Sequence, residues 1–212
     1  MDNPVIIFGA NYLGKAAKEI FESNLVVVYG FLDDNKSLHN TQIGEVTILG
    51  ETDDDGFLKL IGKKCEAFVA SDDNRERKAL VNMLNDRRKV MPVNAVHQQA
   101  YISPTAGIAH GNFVDMGVKI GHNVSIGNHC IIHAGAILST EVSIGNFVQV
   151  GAGSIINPEV KIEDEVFIGS GVVIVAGLTI GKGARVGAGS VVISSVKAGE
   201  TVFGNPAQKL NN

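Results

Sequence analysis

Tryptophan is absent from this 212-residue chain, and cysteine occurs only twice, as Cys65 and Cys130, one in each half. A disulfide framework is therefore not what holds the fold, and the reducing cytoplasm is the expected compartment. No stretch approaches the roughly 18 consecutive apolar residues of a membrane span, and no charged-then-apolar leader opens the chain, so no membrane partner is expected. Lys and Arg form no run longer than Arg87-Arg88-Lys89, which closes a helical pattern, and the formal net charge is −4. Nucleic acid is accordingly not an expected partner. The six histidines include no pair at ligand spacing with a carboxylate on one strand face, so no metal is expected. Neither cysteine has a nucleophile's setting: Cys130 falls on an inward position and Cys65 precedes a buried strand. What remains is a chain 45% hydrophobic and 19% charged, enough to bury a core. Its 25 glycines lie mostly after Gly107, so the two halves are built differently.

The second half repeats. From Ile102, every sixth residue is aliphatic: Ile102, Ile108, Val114, Ile120, Ile126, Ile132, Leu138 and Ile144. Val150, Ile156, Ile162, Ile168, Ile174, Ile180, Val186 and Val192 continue the series without insertion or deletion. Four residues after each comes a second series, from Ala106 to Val196, small or β-branched except at Asn112 and Leu178. Neither a strand of period two nor a helix of period 3.6 keeps a period of six. A solenoid does. Each hexad makes a short strand and a turn, and three hexads close a triangular coil of eighteen residues. Aliphatic side chains then stack inward, one coil being about 4.8 Å from the next. Glycine follows the aliphatic residue seven times, as in Ile120-Gly121, which suggests turn geometries closed to other residues. The expected fold from Ile102 to Val196 is an all-β, left-handed parallel β-helix.

The first half alternates. Val5-Ile6-Ile7-Phe8 reads as a buried strand, followed by Gly9-Ala10-Asn11-Tyr12-Leu13-Gly14 and a helical pattern through Phe21. Val26 to Leu32 is a second strand ending at Asp33-Asp34, Ala67 to Ala70 a third, and Asn74 to Arg88 a helix. This spacing predicts an α/β domain with a small parallel sheet, Rossmann-like, whose ligands lie at the carboxyl ends of the strands. The glycine turn keeps the first and last glycine of a dinucleotide fingerprint but has Asn11 at the middle one. Asp33 and Asp34 are placed to accept hydrogen bonds from a ribose or a base. The division is expected at 1–92 and 93–212, with a short strand at Val93 to Val96.

Taken together, the glycine turn, Gly30-Phe31-Leu32-Asp33-Asp34, Ile48-Leu49-Gly50, Asp73-Asn74-Arg75, Val96-His97, the hexads and the closing Gly204-Asn205-Pro206-Ala207 resemble one family over nearly the whole chain. That family is the bacterial sugar O- and N-acyltransferases, of the sialic acid O-acetyltransferase and UDP-amino-sugar acetyltransferase kind. The resemblance implies a homotrimer with acetyl-CoA as co-substrate and a nucleotide-linked sugar as acceptor. A general base takes the acceptor's proton, and backbone N–H groups steady the oxyanion. It also implies that Gly9, Asn11, Leu13, Asp33 and Asp34 contact the nucleotide sugar, and that Gln149, Pro158 and Ala176 line the acyl donor. Four positions depart from the family. Where relatives carry acid–His–acid, this chain reads Ser139-Thr140-Glu141, placing Thr140 at the position of the base. Gln149 stands for a donor-facing histidine, Leu13 for a histidine in the glycine turn, and Pro158 for a glycine whose N–H meets the pantetheine arm. His122 lies one coil beneath Thr140, with Glu141 as its expected partner, whereas His129 and His133 fall on other corners and His110 near the start of the solenoid. Three functions fit these residues: an acyltransferase using His122 or substrate-assisted chemistry, a non-catalytic trimer that binds a nucleotide sugar, or a scaffold.

Overall fold

A computed structural model describes residues 3–210. The chain divides into two compact units, Met1–Gln98 and Gln99–Asn212.

In the first unit, the short apolar runs form strands because each can bury both faces. Val5–Phe8 (β1) is buried at all four positions, and β2 spans Val28–Leu32. Gln42–Ile43 (β3), Val46–Gly50 (β4) and Glu66–Val69 (β5) complete a sheet of order β3-β4-β2-β1-β5, parallel except for β3. Helix α1 (Tyr12–Ser23) buries Leu13, Ala17, Ile20 and Phe21, the one-sided stripe of an amphipathic helix. A short helix α2 (Asp55–Leu58) and the longer α3 (Asn74–Arg88) follow. The strand after β5 is shorter than expected, Ala95–Val96, and it packs on the end of α1, where Asn24 Nδ2 donates to Val96 O at 2.9 Å. The chain steps outward from β1 to β2 to β4, then returns to β5 on the other side of β1. That reversal opens a crevice at the carboxyl ends of β1 and β5.

The second unit is a parallel β-helix with two-residue strands from Tyr101–Ile102 to Val191–Val192. Residues eighteen apart are partners throughout, as in Ile120 with Leu138, Ile126 with Ile144 and Ile132 with Val150. The aliphatic column from Val114 to Val192 is buried, and polar residues on the second inward column bond to the backbone through their side-chain oxygens. Asn112 Oδ1 accepts from Cys130 N at 2.7 Å, and Ser154 Oγ donates to Gly169 O at 2.9 Å.

The role assigned above to the glycines changes. Those that follow the aliphatic residue do not take the left-handed conformation. They are needed because the next coil lies against them: a Cβ on Gly151 would sit 2.4 Å from Gly169 C, and one on Gly127 2.7 Å from Gly145 C. The left-handed residue is the third after the aliphatic one. At one corner it is always glycine, at Gly117, Gly135, Gly153, Gly171 and Gly189. At the other two it includes Asn123, His129, Glu141, Phe147, Glu159 and Glu165, with φ between 52° and 65°. A side chain there carries a conformational cost of about 1–2 kcal/mol. Glu141→Gly is therefore expected to raise stability by about 0.5–1 kcal/mol, after allowing for the freer unfolded chain. Urea denaturation reads this directly, and a loss of stability would contradict it.

The eighteen-residue spacing holds through Val192 and then shortens. Val196 pairs with Ile180, and Thr201 with Arg185, so partners in the last coil are sixteen residues apart. Val196 thus takes an aliphatic-column place rather than closing the small-residue series beneath Leu178. Thr201–Gly204 then pairs antiparallel with Ala207–Lys209, and Gly204-Asn205-Pro206-Ala207 makes the hairpin turn that ends the stacking.

Candidate functional site

The crevice of the first unit holds a cavity of about 200 Å³ lined by Gly9, Asn11, Asp33, Asp34, Thr52 and Glu76, among others. Gly9 turns the chain at φ 110°, and a Cβ there would lie 2.5 Å from Ala70 O. A Cβ on Gly14 would lie 2.0 Å from Gly9 O, so both glycines are required by packing. Asn11 caps α1: its Oδ1 accepts from Leu13 N at 2.9 Å and Gly14 N at 3.1 Å, while Nδ2 donates to Ala70 O at 2.7 Å. Two of the amides at the helix start are thereby satisfied from within.

Both acids hold loops as well as facing the cavity. Asp33 accepts from Ala10 N at 2.8 Å and Asn35 N at 2.9 Å, and so ties the glycine turn to the end of β2. Asp34 Oδ1 accepts from Thr52 N and Thr52 Oγ1, both at 2.8 Å, which leaves Oδ2 outside that pair of bonds. Glu76 enters from α3 and accepts from Ser71 Oγ. Asp33, Asp34 and Glu76 make the cavity rich in acceptors, suited to ribose hydroxyls or the N–H edge of a base. Leu13 is the exception among the expected contacts: only 1% exposed, it packs in the α1 core, and the cavity lining does not include it. At the rim, Tyr12 Oη donates to Asp72 at 2.7 Å, and burial, followed by Asp72, pushes the phenol up to about 12. Asp73 caps α3, and the amides of Glu76 and Arg75 hold its carboxyl below the usual range.

On the β-helix, His122, Thr140, Pro158 and Ala176 are exposed and follow one corner, one per coil; Glu141 N donates to His122 O, Glu159 N to Thr140 O and Gly177 N to Pro158 O. Among the described residues the amides of Thr140 and Ala176 make no hydrogen bond, and Pro158 between them has none to offer. The expected partner of His122 is replaced. Its Nδ1 lies 2.8 Å from Thr105 Oγ1, and Glu141 meets it only through the backbone. Gln149 is not brought to this corner. It lies on another face with Ile131 and Phe167, where its Nε2 is 3.1 Å from His133 Nε2. His129 is buried against Phe147, with ring centroids 4.9 Å apart.

Thr105, Thr52 and Glu76 were not read from the sequence. Thr105 sits one coil before Asn123, so applying the eighteen-residue register to polar residues would have found it. The same register reveals a ladder, Asn128–Asn146–Asp164, in which each side-chain oxygen accepts from the preceding coil's backbone N–H at 2.9 and 2.7 Å. Cys130 Sγ donates to Gly145 O at 3.1 Å, and burial pushes the Cys65 thiol up, so neither is activated. Among the described residues, no group of His, Cys, Asp and Glu is arranged to hold a metal ion, and no helix is long and apolar enough to cross a membrane.

Residues 4–84 match the PglD N-terminal domain, and 105–140, 141–176 and 159–194 match the bacterial transferase hexapeptide repeat. The chain thus joins a PglD-like N-terminal domain to a hexapeptide-repeat domain. Solved structures similar over full length agree. PerB of Caulobacter crescentus, in complex with CoA and GDP-perosamine, is 28% identical with a TM-score of 0.90, covering 100% of this chain and 99% of its own. WeeI of Acinetobacter baumannii is 26% identical, with TM-score 0.84 and coverage of 98% and 99%. The acetyltransferase domain of PglB from Neisseria gonorrhoeae, in complex with acetyl coenzyme A, shares the fold at 22% identity, TM-score 0.87, with coverage of 99% and 100%. A search of curated proteins found no match. Relatives of this PglD-like chain are thus acetyl-CoA-dependent sugar acetyltransferases.

Proposed function

We propose that this PglD-like protein transfers an acyl group, most simply acetyl, from acyl-CoA to a nucleotide-linked sugar, as a homotrimer. The observation that carries the reading is the full-length similarity to PerB, whose complex contains both CoA and GDP-perosamine. The acceptor-rich cavity supports it on the nucleotide side. On the donor side the fit is partial: the amides of Thr140 and Ala176 are available to a ligand, but Pro158 interrupts them. Acyl-CoA supplies the activated thioester. His122 takes the proton from the attacking amine or hydroxyl as the new C–N or C–O bond forms, and returns it to the departing thiolate as C–S breaks. Thr140 contributes its amide, since its hydroxyl cannot act as a base near neutral pH. Apposition of Gln149 and His133 to a neighbouring copy's Thr140 corner belongs to the trimer part of the proposal.

The second reading is a trimer that binds a nucleotide sugar without transfer. Thr140 and Pro158 favour it. So does a finding about the relative: perosamine N-acetyltransferase with a histidine changed to asparagine still forms a complex with CoA and GDP-perosamine. Calorimetry with acetyl-CoA and nucleoside diphosphates, followed by a coupled thiol-release assay with amino-sugar nucleotides, separates the two. Binding of both with thiol release supports transfer; nucleotide binding without acetyl-CoA binding supports the second. Asp34→Asn keeps an oxygen for Thr52 but loses the carboxylate, so nucleotide affinity should fall about 10- to 100-fold. Unchanged affinity would place the nucleotide elsewhere.

A further inference from the structure

We propose that Thr105 is a positioning residue for His122, backed by Ser103; this rests on His122 serving as the base in the reading above. An imidazole on an exposed corner rotates freely unless one ring nitrogen is held, and a base must be aimed to be effective. Here Nδ1 is held, 2.8 Å from Thr105 Oγ1. The hydroxyl is itself pinned on two further sides. It accepts from Asn123 N at 3.0 Å and lies 3.0 Å from Ser103 Oγ, on a side chain of a buried residue. The ring is thereby set with Nε2 as the nitrogen left to meet an acceptor.

Two hydroxyls in series suit a group that must change protonation state. For Nε2 to take a proton it must be bare, so the neutral ring carries its hydrogen on Nδ1 and donates it to Thr105 Oγ1, whose own hydrogen turns to Ser103 Oγ. When Nε2 takes the acceptor's proton, this chain of bonds stays as it is and now holds the imidazolium. One proton is added at Nε2, no hydroxyl has to rotate, and no carboxylate is required. This explains how His122 is oriented although Glu141 does not bond to its ring.

Thr105→Val removes the hydroxyl at nearly constant shape. Turnover should fall about 10- to 100-fold with both KM values nearly unchanged, and Thr105→Ser should restore most of it. In a His122→Ala background, Thr105→Val should have no further effect. Full turnover in Thr105→Val, failure of Thr105→Ser to rescue, or an equal further loss in the His122→Ala background would overturn the proposal. Wild-type turnover in His122→Ala would instead remove the base assignment itself. In a chain without detectable transfer, nitrogen NMR of the His122 ring reads the same contact. Its Nδ1 resonance should shift in Thr105→Val and return in Thr105→Ser; an unmoved resonance overturns the proposal.

Discussion

His122→Ala should lower acyl-transfer turnover by about 10²- to 10⁴-fold, the usual contribution of a positioned general base. The corner geometry makes the prediction specific. His122 is the histidine one coil from Thr140 on the same edge, and its Nδ1 is already held by Thr105. Thr140→His is the informative companion. It places an imidazole about one coil spacing, roughly 4.8 Å, from His122. If Thr140 marks a lost base, Thr140→His should raise turnover and make His122→Ala nearly silent. If His122 already does the work, Thr140→His should add little. Steady-state kinetics over a range of acceptor concentrations distinguishes these outcomes. Retention of wild-type kcat in His122→Ala alone would show that neither corner residue supplies the base.

The aliphatic columns were legible because each coil repeats one geometric requirement, an inward branched side chain every sixth residue. The same reasoning placed His122 under Thr140, since residues eighteen apart occupy one corner. It failed at the end of the solenoid, where the Val192-to-Val196 spacing mimics the period while the last coil contracts to sixteen. A period count does not sense a coil that shortens. Glu141 was the expected partner of His122 because it is acidic and follows Thr140, which lies one coil from His122 on the same corner. Its left-handed backbone, φ 61°, and the coil-to-coil hydrogen bonds put the Thr105 hydroxyl there instead. In the first unit, β1, β2, β5 and the ligand-binding end of the sheet followed from where the apolar runs stop, whereas β3 and β4 were not read as strands and no strand order followed from the sequence. Leu13 was misplaced because family alignment fixes a position in the turn and not the direction of a helical side chain, here inward to the α1 core.

Gly151→Ala should be the most destabilising single-methyl change on the solenoid, costing about 3 kcal/mol. The added Cβ would lie 2.4 Å from Gly169 C and Ser170 N, both backbone atoms that cannot rotate away. The coil spacing is locked by Gly151 N donating to Ile168 O at 2.8 Å and by flanking bonds of the same kind. Relief therefore requires neighbouring coils to separate, which breaks backbone hydrogen bonds. Gly135→Ala is the control, because nothing lies within 4 Å of its Cβ and only its φ of 69° resists, for about 1 kcal/mol. For a chain of this length the two should differ by roughly 4–8 °C in Tm. Each coil is stabilised mainly by its neighbours, so the central position of Gly151 matters as well as the clash. Gly151→Ala should broaden the transition, with the coils on either side melting less cooperatively, whereas Gly135→Ala should shift it intact. Circular dichroism melts of both variants provide the comparison. Equal Tm values would mean that the coils yield by several tenths of an ångström without losing their hydrogen bonds, and that glycine after the aliphatic residue is tolerated rather than required.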